Sequence, residues 1–523
     1  MRWKMFFRHS LTLFTLVLFV ACPAVAQVTG LGSTTFENSG SMQAQEEFSR
    51  GLLLLHSFEY VDAREAFAEA RKIDPDFAMA YWGEAMTHNH PIWMQQDAED
   101  GRSVLLELAP DLEGRLEKAP TEREKEYLLA VEALYFGEGD KKARDFLYEK
   151  KMGALAAKYP KDLEAAAFHA LSILGLAHDG RDFRLYMRAA AIAEEVFAKN
   201  PLHPGAAHYL IHAYDDPIHA PLGLRAARVY AAIAPEATHA LHMPSHIFTA
   251  MGMWPEMASA NEASFAASNA RVQRKGLSVN QRSFHARHWL AYAYSQQGRY
   301  AEAEQLMQDM INDLKEGGDL KSTRRYTVMM AASHLAETKQ WDSKFARVEF
   351  DLGGMSAVSK ANILFIRGKT ALSDGDEESA RQALKAIMDL DDKEDVSLLL
   401  QHQLKADLLV LEGNLDEAIK LLKTAAKIEE DRPLDYGPPM PAKPTYELLG
   451  EFHLKAKNGA DAMKAFKASL GRAPGRSLSL IGLSAAAKME GDKGIYQETM
   501  SMLKKNWKNA DPKTVKMFSV SDH

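Results

Sequence analysis

Apolar residues recur along most of the chain at intervals of three and four, and polar residues fill the positions between them. These stretches are dominated by Ala, Leu, Glu, Lys and Met, which are strong helix formers. Runs of β-branched residues with a period of two, which would indicate strands, are nearly absent. The pattern therefore predicts an all-α fold.

Small residues, an aromatic residue and a proline recur at fixed steps within the helical pattern. The clearest early unit contains Gly51, Ala63, Phe67, Ala70 and Pro75. The same spacing returns near the C-terminus in Gly450, Ala462, Phe466 and Pro474. Small residues let two helices pack closely, and proline ends the second helix. This pattern resembles the tetratricopeptide repeat (TPR). The resemblance implies a right-handed, superhelical α-solenoid of helix-turn-helix repeats, whose first helices line a concave groove suited to a protein or peptide partner.

The pattern divides the chain into six segments. We predict a signal peptide at residues 1–26, a disordered lead-in at 27–43, an N-terminal TPR-like solenoid with a His-lined groove at 44–345, further TPR-like helical hairpins at 346–430, a proline-rich excursion at 431–444, and C-terminal TPR-like repeats at 445–523. The excursion cannot be helical, because four prolines in the seven residues 438–444 remove backbone donors. We expect it to be ordered and to fold over the groove.

The first residues indicate export. Arg2, Lys4 and Arg8 precede an apolar run at 11–21, and Ala24-Val25-Ala26 offers a small-residue cleavage site. The run is too short for a convincing transmembrane span, and no later stretch approaches the roughly 20 apolar residues that a span needs. We therefore predict a periplasmic or secreted protein, with a lipoprotein anchored at Cys22 as the alternative.

Composition narrows the chemistry. Cleavage after Ala26 leaves 60 Lys and Arg against 71 Asp and Glu, a net charge of −11, which disfavours nucleic acid as a partner. Cleavage also removes Cys22, the only cysteine. A metal site in the mature chain must therefore use His, carboxylate or Met ligands.

Histidines repeat with the period of the proposed units. His178, His212 and His246 are 34 residues apart, and His208 and His242 keep the same interval. The register extends to the next unit, because His242 and His288 each lie ten residues before a turn glycine, at positions 252 and 298, and His239 and His285 each lie thirteen before it. Since repeats stack equivalent positions, we expect these histidines to meet in one groove.

An i,i+4 histidine pair on one helix can chelate an ion, and a neighbouring helix can supply a third ring. The predicted metal ligands are His208, His212, His239, His242, His246, His285, His288 and Asp215. Such a set suits Zn or Cu first and Fe or Ni second, and it excludes Mg and Ca as first choices. The predicted lining of the groove adds Trp82, His88, His90, His178, Asp216 and His219.

Three interpretations of the histidines stay open at this point: a bound metal ion, an anionic or peptide ligand, and polar packing between helices. The chain lacks the common hydrolase, kinase and dehydrogenase motifs. The sequence thus favours an exported binding or scaffold protein. The alternatives are a metal-dependent enzyme of the hydrolase or oxidase type, with Asp215 or Asp216 as base, and a metal-free scaffold for protein–protein interactions.

Overall fold

The computed structural model describes residues 26–28, 30–317, 320–391, 395–434 and 436–518, and these residues form an α-helical solenoid. The predicted all-α fold is confirmed. The helices are α1 Gln45–His56, α2 Tyr60–Ile73, α3 Ala78–Met86, α4 Ala98–Leu108, α5 Leu112–Glu117, α6 Glu122–Phe136, α7 Lys141–Lys158, α8 Leu163–Leu174, α9 Phe183–Lys199, α10 Pro204–Ala213, α11 Ala220–Ile233, α12 Thr238–His242, α13 Pro244–Ala250, α14 Trp254–Lys275, α15 Phe284–Gln296, α16 Tyr300–Gly317, α17 Lys321–Thr338, α18 Ala357–Asp374, α19 Glu377–Met388, α20 Asp395–Leu411, α21 Leu415–Asp431, α22 Thr445–Lys455, α23 Gly459–Arg472, α24 Ser477–Glu490, α25 Lys493–Asn506 and α26 Pro512–Phe518.

Extended backbone is confined to two small antiparallel pairs within the described residues. Strand β1 (Ala26–Val28) pairs with β2 (Gly32–Thr34), and β3 (Asn89–His90) pairs with β4 (Gln95–Gln96). Short 3-10 turns occur at Met42–Ala44, Pro91–Trp93, Val279–Gln281 and Lys344–Arg347. None of these elements interrupts the succession of packed helix pairs.

Each pair of helices packs through the small residues that the sequence pattern singled out. Phe67 on α2 is fully buried, and its ring lies against Gly51 of the preceding helix and Gly83 of the following one. A Cβ at Gly83 would lie 2.3 Å from that ring. Phe466 on α23 lies in the same way between Gly450 and Gly482. Glycine is therefore required where one aromatic ring wedges three helices together.

The segment before α1 is ordered, so the prediction of a disordered lead-in at 27–43 was wrong for the described residues. Phe36 is buried, and its ring stacks on Trp82 at 5.5 Å between centroids. The Ser33 amide donates to the carbonyl of Leu202 at 3.0 Å, and the amide of Ser39 donates to Glu124 at 2.7 Å. A Gly- and Ser-rich composition suggested flexibility, but one aromatic anchor and these hydrogen bonds hold the segment.

The solenoid closes on itself at both ends. Near the N-terminus, Asp62 on α2 forms ion pairs with Arg271 and Lys275 on α14. Near the C-terminus, the Trp254 indole donates to the carbonyl of Gly475 at 3.0 Å, and the Arg476 guanidinium pairs with Glu337 and Glu447. Contacts from both ends of the chain therefore hold the middle repeats, and they cover part of the concave face.

The predicted signal peptide lies almost entirely outside the described residues, since only Ala26 falls within them. Among the helices that the structure describes, none is both long and apolar enough to cross a membrane.

Candidate metal centre

The repeated histidines meet on the concave side of three successive units. His208 and His212 lie on α10, His239 and His242 on α12, and His246 on α13. Pro244 begins α13 directly after α12, and Met243 between them keeps helical dihedral angles, so the two short helices act as one first helix. The next first helix, α15, supplies His285 and His288.

The histidines separate into two triads. His208, His212 and His239 form the first, which we call triad A, and their ligand atoms all lie within 4.8 Å of one another. His242, His246 and His285 form the second, triad B, within the same limit. The third ring beside His208 and His212 is that of His239, on the neighbouring helix. His288 stays outside both triads.

Each triad contains two rings that face each other through their Nε2 atoms. The Nε2 atoms of His208 and His212 are 3.1 Å apart, and those of His242 and His246 are 3.2 Å apart. Two nitrogen ligands at 2.0–2.1 Å from a tetrahedral ion would be about 3.3 Å apart. Both pairs therefore have the spacing of neighbouring ligands around one small cation.

Hydrogen bonds fix the tautomers of the pair in triad B. His246 donates its Nδ1 proton to the carboxylate of Asp215 at 2.6 Å. His242 donates its Nδ1 proton to the Asn261 side-chain oxygen at 2.7 Å, and the amide group of Asn261 is oriented because it donates to the Met257 carbonyl. With both rings in the neutral form, their Nε2 lone pairs point at each other. Two acceptors at this distance repel unless a metal ion or an added proton lies between them.

Burial opposes a second proton on His242. It lowers the pKa of His242 to about 3, with a further contribution from the nearby His246 ring. In triad A, burial holds the pKa of His208, His212 and His239 well below the usual range. Neutral imidazoles are the form that binds metal ions.

Triad A is held in a similar way, with one difference. His208 donates its Nδ1 proton to the backbone carbonyl of His56 at 2.7 Å, which leaves its Nε2 as an acceptor. His239 has a buried Nε2 with no hydrogen-bond partner among the described residues. The tautomer of His212 is not fixed by a hydrogen bond of its Nδ1, so a neutral His212 can donate its own Nε2 proton to His208. The lone-pair argument is therefore stronger for triad B.

A cavity of about 800 Å³ lies over the histidines. Its wall includes His212, His239, His242, His246, His285, His288, Trp93 and Trp289, and the proline-rich excursion covers it with Pro433, Leu434, Tyr436, Pro438 and Met440. This volume falls in the usual range for small-molecule sites. Both triads thus border one partly covered cavity.

Asp215 supports a ligand instead of facing the ion. Its Oδ2 accepts the Nδ1 proton of His246, so the carboxylate orients the ring from behind. The neighbouring Asp216 pairs with Arg181 at 3.2 Å and accepts from His219 at 2.8 Å. These two carboxylates bind protein groups, and neither lines the cavity over the triads.

The other residues predicted to line the groove lie elsewhere. Trp82 is buried in the hydrophobic core between Phe36, Tyr127 and Phe168, because the lead-in covers it. His178 lies in the loop after α8, 2.9 Å from Asp145. His88 lies close to Asp97 and Asp100, and His90 stacks on Tyr60 at 4.0 Å. These positions do not join either triad.

Sequence reasoning missed a third buried group, formed by His56, Glu164 and His203. The Glu164 oxygens lie 2.6 Å from Nε2 of His56 and 3.1 Å from Nε2 of His203. Burial opposes ionisation of Glu164, but the two histidines outweigh it and hold its pKa well below the usual range. Nδ1 of His203 accepts from the Ala206 amide, so its proton lies on the Nε2 that faces Glu164. The contact between His203 and Glu164 lacks hydrogen-bond geometry, but the group differs from the triads because its imidazole nitrogens face a carboxylate and not each other.

Glu59 is a further residue near the triads that the sequence pattern did not predict. It lines the same cavity as the triads, and its carboxylate accepts from the His239 amide at 2.7 Å. Burial raises the pKa of Glu59 to about 7. It belongs to no histidine register, so no periodic signal marks it.

Three solved structures align with most of this chain at low sequence identity and low TM-score. A human IFIT1 dimer with m7Gppp-AAAA is 12% identical over 90% of this chain and 96% of that chain, with a TM-score of 0.37. Yeast Tom70 is 13% identical over 92% and 94%, with a TM-score of 0.30. Cut9–Hcn1 of the APC/C is 11% identical over 93% and 78%, with a TM-score of 0.33. Likeness at this level says nothing about what this chain binds.

Among curated proteins, none matches the chain in sequence. The family profile described as tetratricopeptide repeat matches residues 284–311, which span α15 and the first part of α16. This hairpin carries His285 and His288, so the matched repeat contributes to the cavity wall. The match shows one tetratricopeptide repeat in this hairpin, and the helix pairs of the other described residues resemble it in architecture.

Proposed function

We propose that this TPR protein binds two transition-metal ions, one in triad A and one in triad B, and presents their open coordination positions to the enclosed cavity. Imidazole nitrogen in sets of three suits Zn(II) or Cu(II). The coarser function is that of a repeat scaffold for interactions, which the fold supports directly. The metal ions would make the concave face of this scaffold a ligand-binding site.

The observation that carries the proposal is the facing pair in triad B. His242 and His246 both give their Nδ1 protons to fixed acceptors, and their Nε2 atoms then lie 3.2 Å apart. Ligating histidines in metalloproteins commonly donate their second nitrogen to a carboxylate or carbonyl in this manner. Polar packing alone gives no reason to bring two buried lone pairs together.

The proposal includes an extracytoplasmic location. It is supported by the export pattern at residues 1–26 and by the absence of cysteine after residue 22. N-terminal sequencing of the protein from its native host tests this part: cleavage after Ala26 is expected, and retention of Arg2 and Lys4 in the mature chain would contradict it.

Metal analysis tests the central claim. We expect the purified protein, incubated with Zn(II) or Cu(II) and desalted, to retain two ions per chain by mass spectrometry. His246→Gln and His212→Gln should each reduce this to one ion. His402→Gln is the matched control, because that ring bonds only to the Leu398 carbonyl on an exposed part of α20. Retention of no ion by the unaltered protein would favour a shared proton in the facing pairs instead.

Glu59 favours a metal-dependent hydrolase as a second candidate. A carboxylate in the cavity wall with a pKa of about 7 suits a general base that takes a proton from metal-bound water. Zinc-loaded protein should then hydrolyse 4-nitrophenyl acetate faster than the His246→Gln variant. Glu59→Gln should lower this rate and keep both ions, whereas an unchanged rate would remove this candidate.

A further inference from the structure

The walls of the cavity carry more positive charge than the protein as a whole. Among the described residues, three arginines line it, Arg271, Arg325 and Arg432, and one carboxylate, Glu59. The whole chain has a net charge of −8, so the cavity wall has the opposite sign of charge to the chain as a whole. Histidine ligands are neutral, so metal ions in the triads would add their full charge to the same space.

Two of the three arginines are already engaged. Arg271 forms hydrogen bonds with Asp62 at 2.6 and 2.9 Å, and Arg432 donates to the carbonyl of Met440 at 2.7 Å. Arg325, on α17, has no ion pair with any carboxylate among the described side chains, and it is exposed to the cavity and the solvent. Within the described part of the chain, no carboxylate therefore neutralises the charge of Arg325.

His288 lies near Arg325 and has an unmet hydrogen-bonding group. Its ring is 4% exposed, and its Nδ1 has no hydrogen-bond partner among the described residues. Burial and the charge of Arg325 lower the pKa of His288 to about 4, so the ring is neutral at pH 7. A neutral imidazole can turn an N–H toward an acceptor in the cavity.

The surface beyond these two groups is mostly apolar. A second cavity of about 320 Å³ shares Arg325, Met329 and Met440 with the first. It continues along Val328, Met355 and Val358. A guanidinium thus lies where two mostly apolar chambers meet, which suits a ligand with a charged head and a hydrocarbon body.

We propose that the cavity binds an amphipathic organic acid, whose carboxylate is held by Arg325 and His288 and whose hydrocarbon body lies along Met329, Met355 and Met440. A guanidinium binds a carboxylate through two parallel N–H···O bonds, so the head group is specified by geometry as well as charge. The inference deepens the proposed function and rests on it for the metal ions, which would lie on the other side of the same chamber.

Calorimetric titration of the full-length protein with octanoate and with octanamide tests the inference. The two probes share a hydrocarbon chain and differ in charge. Octanoate should bind at least about tenfold more tightly than octanamide, because hydrogen bonds to charged groups contribute roughly 1.5–3 kcal/mol. Arg325→Met should weaken octanoate binding by about ten- to a hundredfold and leave octanamide unchanged.

The control is Arg367→Met, which removes the same charge from an exposed position on α18 outside both cavities. Equal affinity for the two probes, or octanoate binding that Arg325→Met leaves unchanged, would overturn the inference. Zinc content is measured in parallel on each variant. Loss of the octanoate preference with two zinc ions retained refutes the ligand and keeps the metal centre. A preference that persists in protein that holds no zinc refutes the metal centre alone.

Discussion

At the scale of single residues, the groups that accept the Nδ1 protons of the histidines determine how the rings of the triads are oriented. Asp215→Asn replaces the carboxylate that accepts from His246 by an amide of similar shape. We expect metal affinity at triad B to fall by about 10- to 100-fold, the usual effect of losing such a supporting group. Competition for Zn(II) with a fluorescent chelator measures this change.

Asp216→Asn is the matched control for that variant. Asp216 pairs with Arg181 and His219 and contacts neither triad, so its replacement should leave zinc affinity within about twofold while it weakens the local loop. A similar loss of affinity in both variants would mean that the loop as a whole, and not the hydrogen bond to His246, sets the affinity.

Residue spacing predicted that the histidines would meet, because a 34-residue period stacks equivalent positions. The spacing did not predict which histidines form each triad. His239 joins the His208 pair and His285 joins the His242 pair because neighbouring first helices are offset, and periodicity contains no information about that offset. Asp215 was assigned as a ligand from its position near His212, but its orientation toward His246 depends on the loop after α10.

At the scale of elements, the proline-rich excursion is held against the cavity by a glycine. Gly437 has a φ of +89°, and a Cβ there would lie 2.1 Å from the Trp289 ring. Gly437→Ala should therefore push the excursion away from Trp289 and expose the histidines. Hydrogen exchange of a peptide spanning 431–444 should become faster, and dissociation of bound zinc should accelerate.

Gly413→Ala separates backbone strain from steric contact. Gly413 has a similar φ of +81°, but a Cβ there would meet nothing within 4 Å. Its substitution carries the same conformational cost of about 1–2 kcal/mol without displacing the excursion. Unchanged exchange at 431–444 in Gly437→Ala would show that the contact with Trp289 does not hold this segment in place.

The sequence predicted contacts within one helix pair well. It predicted contacts between more distant segments less well. Gly51 and Phe67 identified a repeat because both belong to one helix pair. Gly83, which touches the same ring from the next helix, lies outside the motif that was recognised. The order of the lead-in depends on Phe36 reaching Trp82, a contact between distant parts of the chain that no local pattern encodes.

At the scale of the whole molecule, Arg476 joins the C-terminal repeats to the middle of the solenoid. Its side chain is fully buried and contacts Glu337 on α17, Glu447 on α22 and the Tyr292 hydroxyl on α15. Arg476→Met leaves buried Glu337 without its cation and Glu447 with Lys443 alone, which should destabilise the fold by about 3–5 kcal/mol. Chemical denaturation monitored by circular dichroism measures the loss.

An exposed ion pair provides the comparison for Arg476. Lys427 and Asp431 pair at 2.8 Å with about two-thirds of each side chain exposed, 64% and 66%. Lys427→Met should change stability by less than about 1 kcal/mol, because water already screens this pair. If Arg476→Met proved equally mild, the C-terminal repeats would not depend on this contact for their docking.

The ion pairs of Arg476 and Glu447 also predict how the stability of the fold depends on pH. Burial opposes ionisation of Glu447, but Arg476 and Lys443 outweigh it and hold its pKa well below the usual range. A carboxyl group that is more acidic in the folded state stabilises the fold fully above its unfolded pKa of about 4.3, and this stabilisation is lost as the pH falls.

We therefore expect the unaltered protein to lose stability between pH 6 and pH 3. Glu447→Gln should be less stable at pH 6 but lose less over that interval, because it has no proton to take up at this position. Parallel losses in the two proteins would assign acid sensitivity to other carboxylates, such as Glu164.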